Sequence, residues 1–353
     1  MSKNMAGVFA ELHARGLVAG AQPPALAAEP PGTPWFVRVM AGFGAWLGGL
    51  FLLGSVLGIF AFAFDSKGGM LVLGVLLIGV AFAIYRAAGK SEALQQFGLA
   101  FSMAGQFSLG FGLSDMLRWS SGDFVWALCL MQVALAALMP SSLHRFLSTL
   151  FAAIAAYYAL QMSHAVALGA LVIAPVVAWI WISEPEWTAA RRASLWRPVG
   201  YALALALLFW EAPLSARWIF GSGREAVLFA VPYWFAPLAY AGSLVAVSGM
   251  LARQLAPKAW VNWVIGAALV SLVAILAPGL IAALLVLVLG FAAGNRILTG
   301  MAILAAAWYL GAFYYQMQIT LLEKSGVMLA TGVLLLAMRF ALSVLWRKEA
   351  GDE

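Results

Sequence analysis

Two ionisable residues lie inside long apolar runs: Glu211 in LLFWEAPLSARW and Arg339 in LLLAMRFALSVLWRK. A charge held in hydrocarbon is costly, so each is by default a sign of function. Arg339 is about 10 Å from the inner end of its run, and its long stem can carry the guanidinium to the interface. Glu211 is about 7–8 Å below the outer end of its run. A carboxyl on a short stem recovers little of that depth. Arg217 is on another face of the same helix, so the sequence offers Glu211 no clear counter-charge.

Further polar groups gather toward the outer ends of neighbouring runs. They include Gln106 and Asp115, then Asp123, then Tyr157, Tyr158, Gln161 and His164. Tyr314, Tyr315, Gln316 and Gln318 close another run. Together with Glu211, such residues would line an outward-facing cavity for a small polar or lipid-linked ligand. The plainer reading is an aromatic belt with ordinary interfacial glutamines.

The motifs that would mark an enzyme do not occur. The sequence holds neither H-E-x-x-H nor GxxxxGK[ST]. His13, His144 and His164 fall in a head, an inner loop and an outer loop, which keeps them from one metal or from paired haems. Ser222 in GSGRE has no histidine base with a claim to it. The single cysteine, Cys129, lies in an apolar run and cannot form an internal disulfide. The expectation is a non-enzymatic protein with no metal and no cofactor.

The elements that must position these residues follow from composition. Of 353 residues, 64% are hydrophobic and only 10% are charged, against about 25% charged in a soluble domain. Mean hydropathy is +0.96. A soluble enzyme, a disordered chain and a disulfide-stapled fold are thereby excluded. Long apolar runs in lipid must be helical, because only a helix satisfies its own backbone groups there. The alternating short segments of a barrel do not occur.

The fold class expected is all-α, a polytopic bundle of about twelve spans. They are placed at 38–64, 69–86, 93–113, 121–139, 145–162, 165–183, 197–216, 230–251, 260–277, 279–294, 297–318 and 326–346. A short helix within 1–19, apolar at Val8, Phe9 and Leu12, would precede them on the cytoplasmic surface. Residues 20–34 carry five prolines and read as an extended linker. The membrane domain is 35–347 and the tail 348–353. Residues 260–294 are too long for one ordinary span, and Pro278-Gly279 offers a turn within them.

Charge orients the bundle. With the N-terminus inside, fourteen of twenty Lys and Arg residues fall on the cytoplasmic side and five outside, with Arg339 in a span. The positive-inside rule thus favours twelve spans with both termini cytoplasmic. The net charge of +6 reads as topology and contact with anionic lipid, not as a nucleic-acid interface.

Gly44 and Gly48, Gly54 and Gly58, and Gly290 and Gly294 are each four apart and share a helix face. They would serve packing within the bundle or an oligomer contact. Pro175 inside the sixth span marks a kink or a broken transporter helix. Spans two and three loosely echo spans ten and eleven, each pair turning at a small residue beside an Arg.

The stretch YYQMQITLLEKSGVMLATGVLLLAMRF, with PWFVRVMAGFGAWLGGLFLLG after the linker, resembles a family of bacterial inner-membrane proteins called domain of unknown function 4401. The likeness covers residues 35 to 347, and Tyr314, Tyr315, Leu321, Leu322, Lys324, Ser325 and Gly332 carry it most specifically. It implies a place beside another polytopic membrane family and a small protein with a GDYxxLxY motif. It implies no activity and no catalytic residue. The leading expectation is a non-enzymatic subunit of an envelope complex, with membrane lipid and other polytopic proteins as partners. Leu321, Lys324 and Ser325 would contribute to an outer-face contact. The alternative is a secondary transporter or carrier using Glu211.

Overall fold

The computed structural model describes residues 67–89, 91–117, 121–163, 165–219, 231–255, 260–274, 279–316 and 320–326, with scattered positions in 13–14, 40–58 and 329–340. The linker at 20–34, the tail at 348–353, Arg339, Gln318, His164 and Ser222 lie outside the described residues. The head helix and the first and twelfth expected spans are described only at scattered positions.

The described chain is helical, without a strand among the described residues. In order, the elements are α1 (Lys67–Ala88), α2 (Glu92–Met116), α3 (Gly122–Leu138), α4 (Ser142–Met162), α5 (Val166–Ile182), α6 (Glu184–Ala189), α7 (Ala193–Ile219), α8 (Val231–Leu255), α9 (Trp260–Ala274), α10 (Leu280–Ala292) and α11 (Arg296–Gln316). The ten long helices follow the second to eleventh expected spans. Five contain stretches long and apolar enough to cross a membrane: Gly68–Ala88, Ser142–Met162, Ala193–Glu211, Phe235–Gln254 and Arg296–Tyr315. Four more are apolar but shorter. The short α6 was not expected. It begins beside Pro185 and buries Trp187, whose indole donates to Ile180 O at 2.9 Å.

Serines start three of the helices. Ser91, Ser121 and Ser141 each accept the backbone N–H three residues on, from Leu94, Phe124 and His144. Such caps satisfy a donor that the helix itself leaves open. Residues 260–294 do divide. Gly279 stands at the start of α10 with φ of +84°, a left-handed conformation, and any Cβ there would lie 2.4 Å from the Tyr309 ring. Only glycine meets both demands.

The main core joins α4, α5, α7, α8, α10 and α11. At its centre Ala204, Ala206 and Leu207 of α7 join Ala282, Ala283, Leu285 and Val286 of α10, all fully buried. Small residues let these backbones approach closely, which is how helices associate where lipid gives no hydrophobic drive. α1 and α2 form a hairpin at one side, tightest where Gly74 and Gly105 face each other. Tyr85, Leu99, Leu135 and Met139 join that hairpin to α3 and α4.

The glycine pairs behave differently from one another. Gly290 lies against Thr299 of α11, whereas nothing among the described residues lies within 4 Å of a Cβ built on Gly44, Gly48, Gly54 or Gly58. α5 runs through Pro175 as a continuous helix. The echoed hairpins both reverse after Ala-Ala-Gly or an equivalent, at Gly89 and Gly294, each with positive φ.

Candidate functional site

Glu211 is buried in the C-terminal half of α7, 5% exposed. Its partner is a phenol from another helix: Tyr240 of α8 donates its hydroxyl to the carboxyl. Tyr309 of α11 stands close enough to act on Glu211 electrostatically, and its own hydroxyl donates to Leu208 O. Tyr157 of α4 packs its ring on Trp210 at 5.6 Å. The Trp210 indole donates to Ala153 O at 3.2 Å, tying α7 to α4. Four helices thus close an aromatic cage round one carboxyl. Of the residues grouped by sequence, Glu211 and Tyr157 meet here. Tyr240 and Tyr309 were missed, because a tyrosine in an apolar run cannot be told from a packing residue by sequence.

Gln106 belongs elsewhere. It is buried with Ser102 on α2, Gln132 on α3, and His144 and Ser148 on α4. Ser102 Oγ lies 2.6 Å from His144 Nε2, and Gln106 Nε2 lies 3.1 Å from Ser102 Oγ and 3.3 Å from His144 Nε2. Gln132 Nε2 donates to Gln106 Oε1 at 2.7 Å, and Ser148 Oγ is 3.2 Å from His144 Nδ1. One pattern of donation fits them all. Gln132 donates to Gln106, Gln106 and Ser102 point their donors at His144 Nε2, and His144 Nδ1–H donates to Ser148. The chain is neutral and runs in one direction. Tyr85 closes it edge-on to the imidazole, with ring centroids 5.7 Å apart.

His144 was expected in an inner loop. It is instead in the first turns of α4 and 1% exposed, because α4 starts at Ser142, capped by Ser141, rather than at 145. Arg145, expected as the first residue of the fifth span at its cytoplasmic end, is also buried. Its guanidinium donates to Ala136 O, Met139 O and Ser194 O at 2.9–3.0 Å. It therefore caps the open carbonyls at the end of α3 and clasps the start of α7.

The remaining grouped residues lie on the periphery. Tyr158 is half exposed and meets Tyr157 edge-on at 5.6 Å, and Gln161 is exposed at the end of α4. Tyr315 is exposed and Tyr314 partly buried, and the two rings meet edge-on. Lys324 sets its ammonium over the Tyr314 ring at 5.1 Å. Residues 321–326 form a helical turn in which Leu321, Leu322 and Ser325 are exposed. Thr320 caps it: Glu323 accepts from Thr320 N at 2.9 Å and Thr320 Oγ1 at 2.8 Å, a capping box that holds its carboxyl below its ordinary value.

The fold and these clusters define an all-helical protein with several helices fit to cross a membrane, its buried polar side chains bonded chiefly to one another. Residues 34–345 match the profile of a domain of unknown function, DUF4401. The chain therefore belongs to that family. No curated protein and no solved structure matches the chain.

Proposed function

We propose that this chain is a multi-pass protein of the bacterial inner membrane, with twelve spans and both termini cytoplasmic, that acts as a non-enzymatic subunit of an envelope membrane complex. The observation that carries the reading is the turn at 320–326. It is capped by its own Thr320 and Glu323, held to α11 by Lys324 on Tyr314, and presents Leu321 and Leu322 at 75% and 82% exposure beside Ser325. A preordered apolar pair beyond the end of a span suits contact with another membrane protein, since little ordering remains to oppose binding. Most of the buried polar side chains round His144 are meanwhile bonded to one another. The partners expected are other polytopic proteins encoded nearby and membrane lipid, not nucleic acid.

Purification in mild detergent at native expression, followed by mass spectrometry, tests this. Stoichiometric recovery of one or two membrane proteins, lost in a Leu321→Ser/Leu322→Ser variant, is expected. A clean monomer or homodimer would overturn the reading.

A second reading, a secondary carrier, draws on Glu211 alone, since a carboxyl buried in a span is costly unless used. Solute flux in liposomes that is abolished by Glu211→Gln would favour it.

A further inference from the structure

Gln132 is 7% exposed, and its Oε1 has no hydrogen-bond partner although its Nε2 is engaged by Gln106. That oxygen is the open end of the one-directional chain leading to His144. An unsatisfied buried acceptor is expensive, more so in lipid than in a soluble core. The oxygen has almost no accessible surface of its own, but the amide that carries it borders open space, so a turn of that amide exposes it. Gln132 and Gln106 stand in the wall of a cavity of about 470 Å³ between α2, α3 and α4. The rest of the lining is apolar and rich in rings, including Phe124, Phe151 and Tyr158. Phe107 and Phe111, stacked at 6.4 Å, also line it and are 69% and 51% exposed, so the cavity opens sideways on the outer surface of the bundle.

We propose that this cavity binds an uncharged, ring-headed membrane amphiphile whose hydroxyl donates to Gln132 Oε1. Four features select that chemistry. The lining holds no charged side chain, so an ion would enter without a partner. The open polar atom is an acceptor, so the ligand must bring a donor. The aromatic walls suit a flat ring. The position is about 15 Å along α3 from its start, near mid-helix, so the ligand arrives through lipid. The volume lies within the 300–1,000 Å³ range of small-molecule sites. Phenolic and quinol-type lipids share this chemistry, and a plain acyl chain does not. The proposal does not depend on the subunit reading.

The test uses the full chain in nanodiscs and a photoreactive alkylphenol bearing an aliphatic diazirine. Saturable labelling is expected on α2, α3 and α4. Free 4-octylphenol should compete about tenfold better than 4-octylanisole, its methyl ether, since only the phenol can donate. Gln132→Leu should bring that ratio to near one. Ala155→Phe, which fills the cavity without touching the hydrogen-bonded chain, should abolish saturable labelling while the protein stays monodisperse. Equal competition in the unsubstituted protein would mean a lipid chain fills the space and would overturn the proposal. So would labelling that never saturates, selectivity that survives Gln132→Leu, or labelling that survives Ala155→Phe.

Discussion

His144 lies between α2 and α4 with a hydroxyl or amide at each ring nitrogen, whereas Glu211 lies among α7, α8 and α11 with Tyr240 as its bonded partner. The first cluster is a line of neutral groups, each oriented by the next, and it ends at an apolar cavity. The second is a single carboxyl closed in by rings. In the first, order comes from the direction of hydrogen bonds. In the second it comes from shape, above all from Tyr309 packed on Gly279. The difference teaches where each cluster should fail. The His144 line should fail when one donor or acceptor is removed, and the Glu211 cage when its packing is disturbed.

The largest effect is expected at Gly279→Ala. It adds backbone strain at φ of +84° and drives a Cβ into the Tyr309 ring. Unfolding in micelles should show a loss of about 3 kcal/mol. Gly105→Ala, which presses on Ile78 and on Gly74 O, should cost about 2 kcal/mol by the same assay. Equal tolerance at Gly279 would contradict the view that shape closes the Glu211 cage.

Next in size is His144→Leu, which leaves the Ser102 hydroxyl without its acceptor and the Gln106 amide with one of its two. A loss of about 2–3 kcal/mol is expected. Glu211→Leu strands only the Tyr240 hydroxyl and should cost about 1–2 kcal/mol, with Glu211→Gln recovering most of it. Double-mutant cycles sharpen the separation. His144→Leu with Gln132→Leu should couple by more than about 0.5 kcal/mol, and His144→Leu with Glu211→Leu should add within that margin.

The smallest effect is local. Glu323 has its carboxyl lowered by accepting from Thr320 N–H and then Thr320 Oγ1. A depressed value means the stabilisation is present at neutral pH. It is lost as pH falls through the folded value, below the ordinary 4.5. Hydrogen exchange at 321–323 should therefore lose protection on acidification in the native chain. It should show no such extra loss in Glu323→Gln, which has no carboxyl to protonate, measured at the same pH values.

The helices were legible because apolar run length and turn residues decide them. Gly279 and the Ala-Ala-Gly turns fall where the backbone reverses. Glu211 was legible because a carboxyl in an apolar run stands out. The cluster partners were not. Ser102 and His144 are 42 residues apart, and Tyr309 and Leu208 are 101 apart. Nothing in local pattern links such pairs. His144 was hidden by the polar residues round it, which read as a loop but serve as the cap and first turns of α4. Gln132, alone in an apolar run, was the signal that could have found the His144 line. Gln106, read as a rim residue, is instead part of that line.

The account rests on polar groups engaged within the bundle rather than lining a path open to water. Cys129 is the single cysteine and is buried, so a Cys129→Ala background is a clean start. Into it, Glu211→Cys and Gln161→Cys would be introduced separately and challenged in intact cells with a membrane-impermeant thiol reagent. The account predicts rapid labelling at 161, which is exposed at the end of α4, and none at 211. Labelling at 211 would contradict it and favour a carrier.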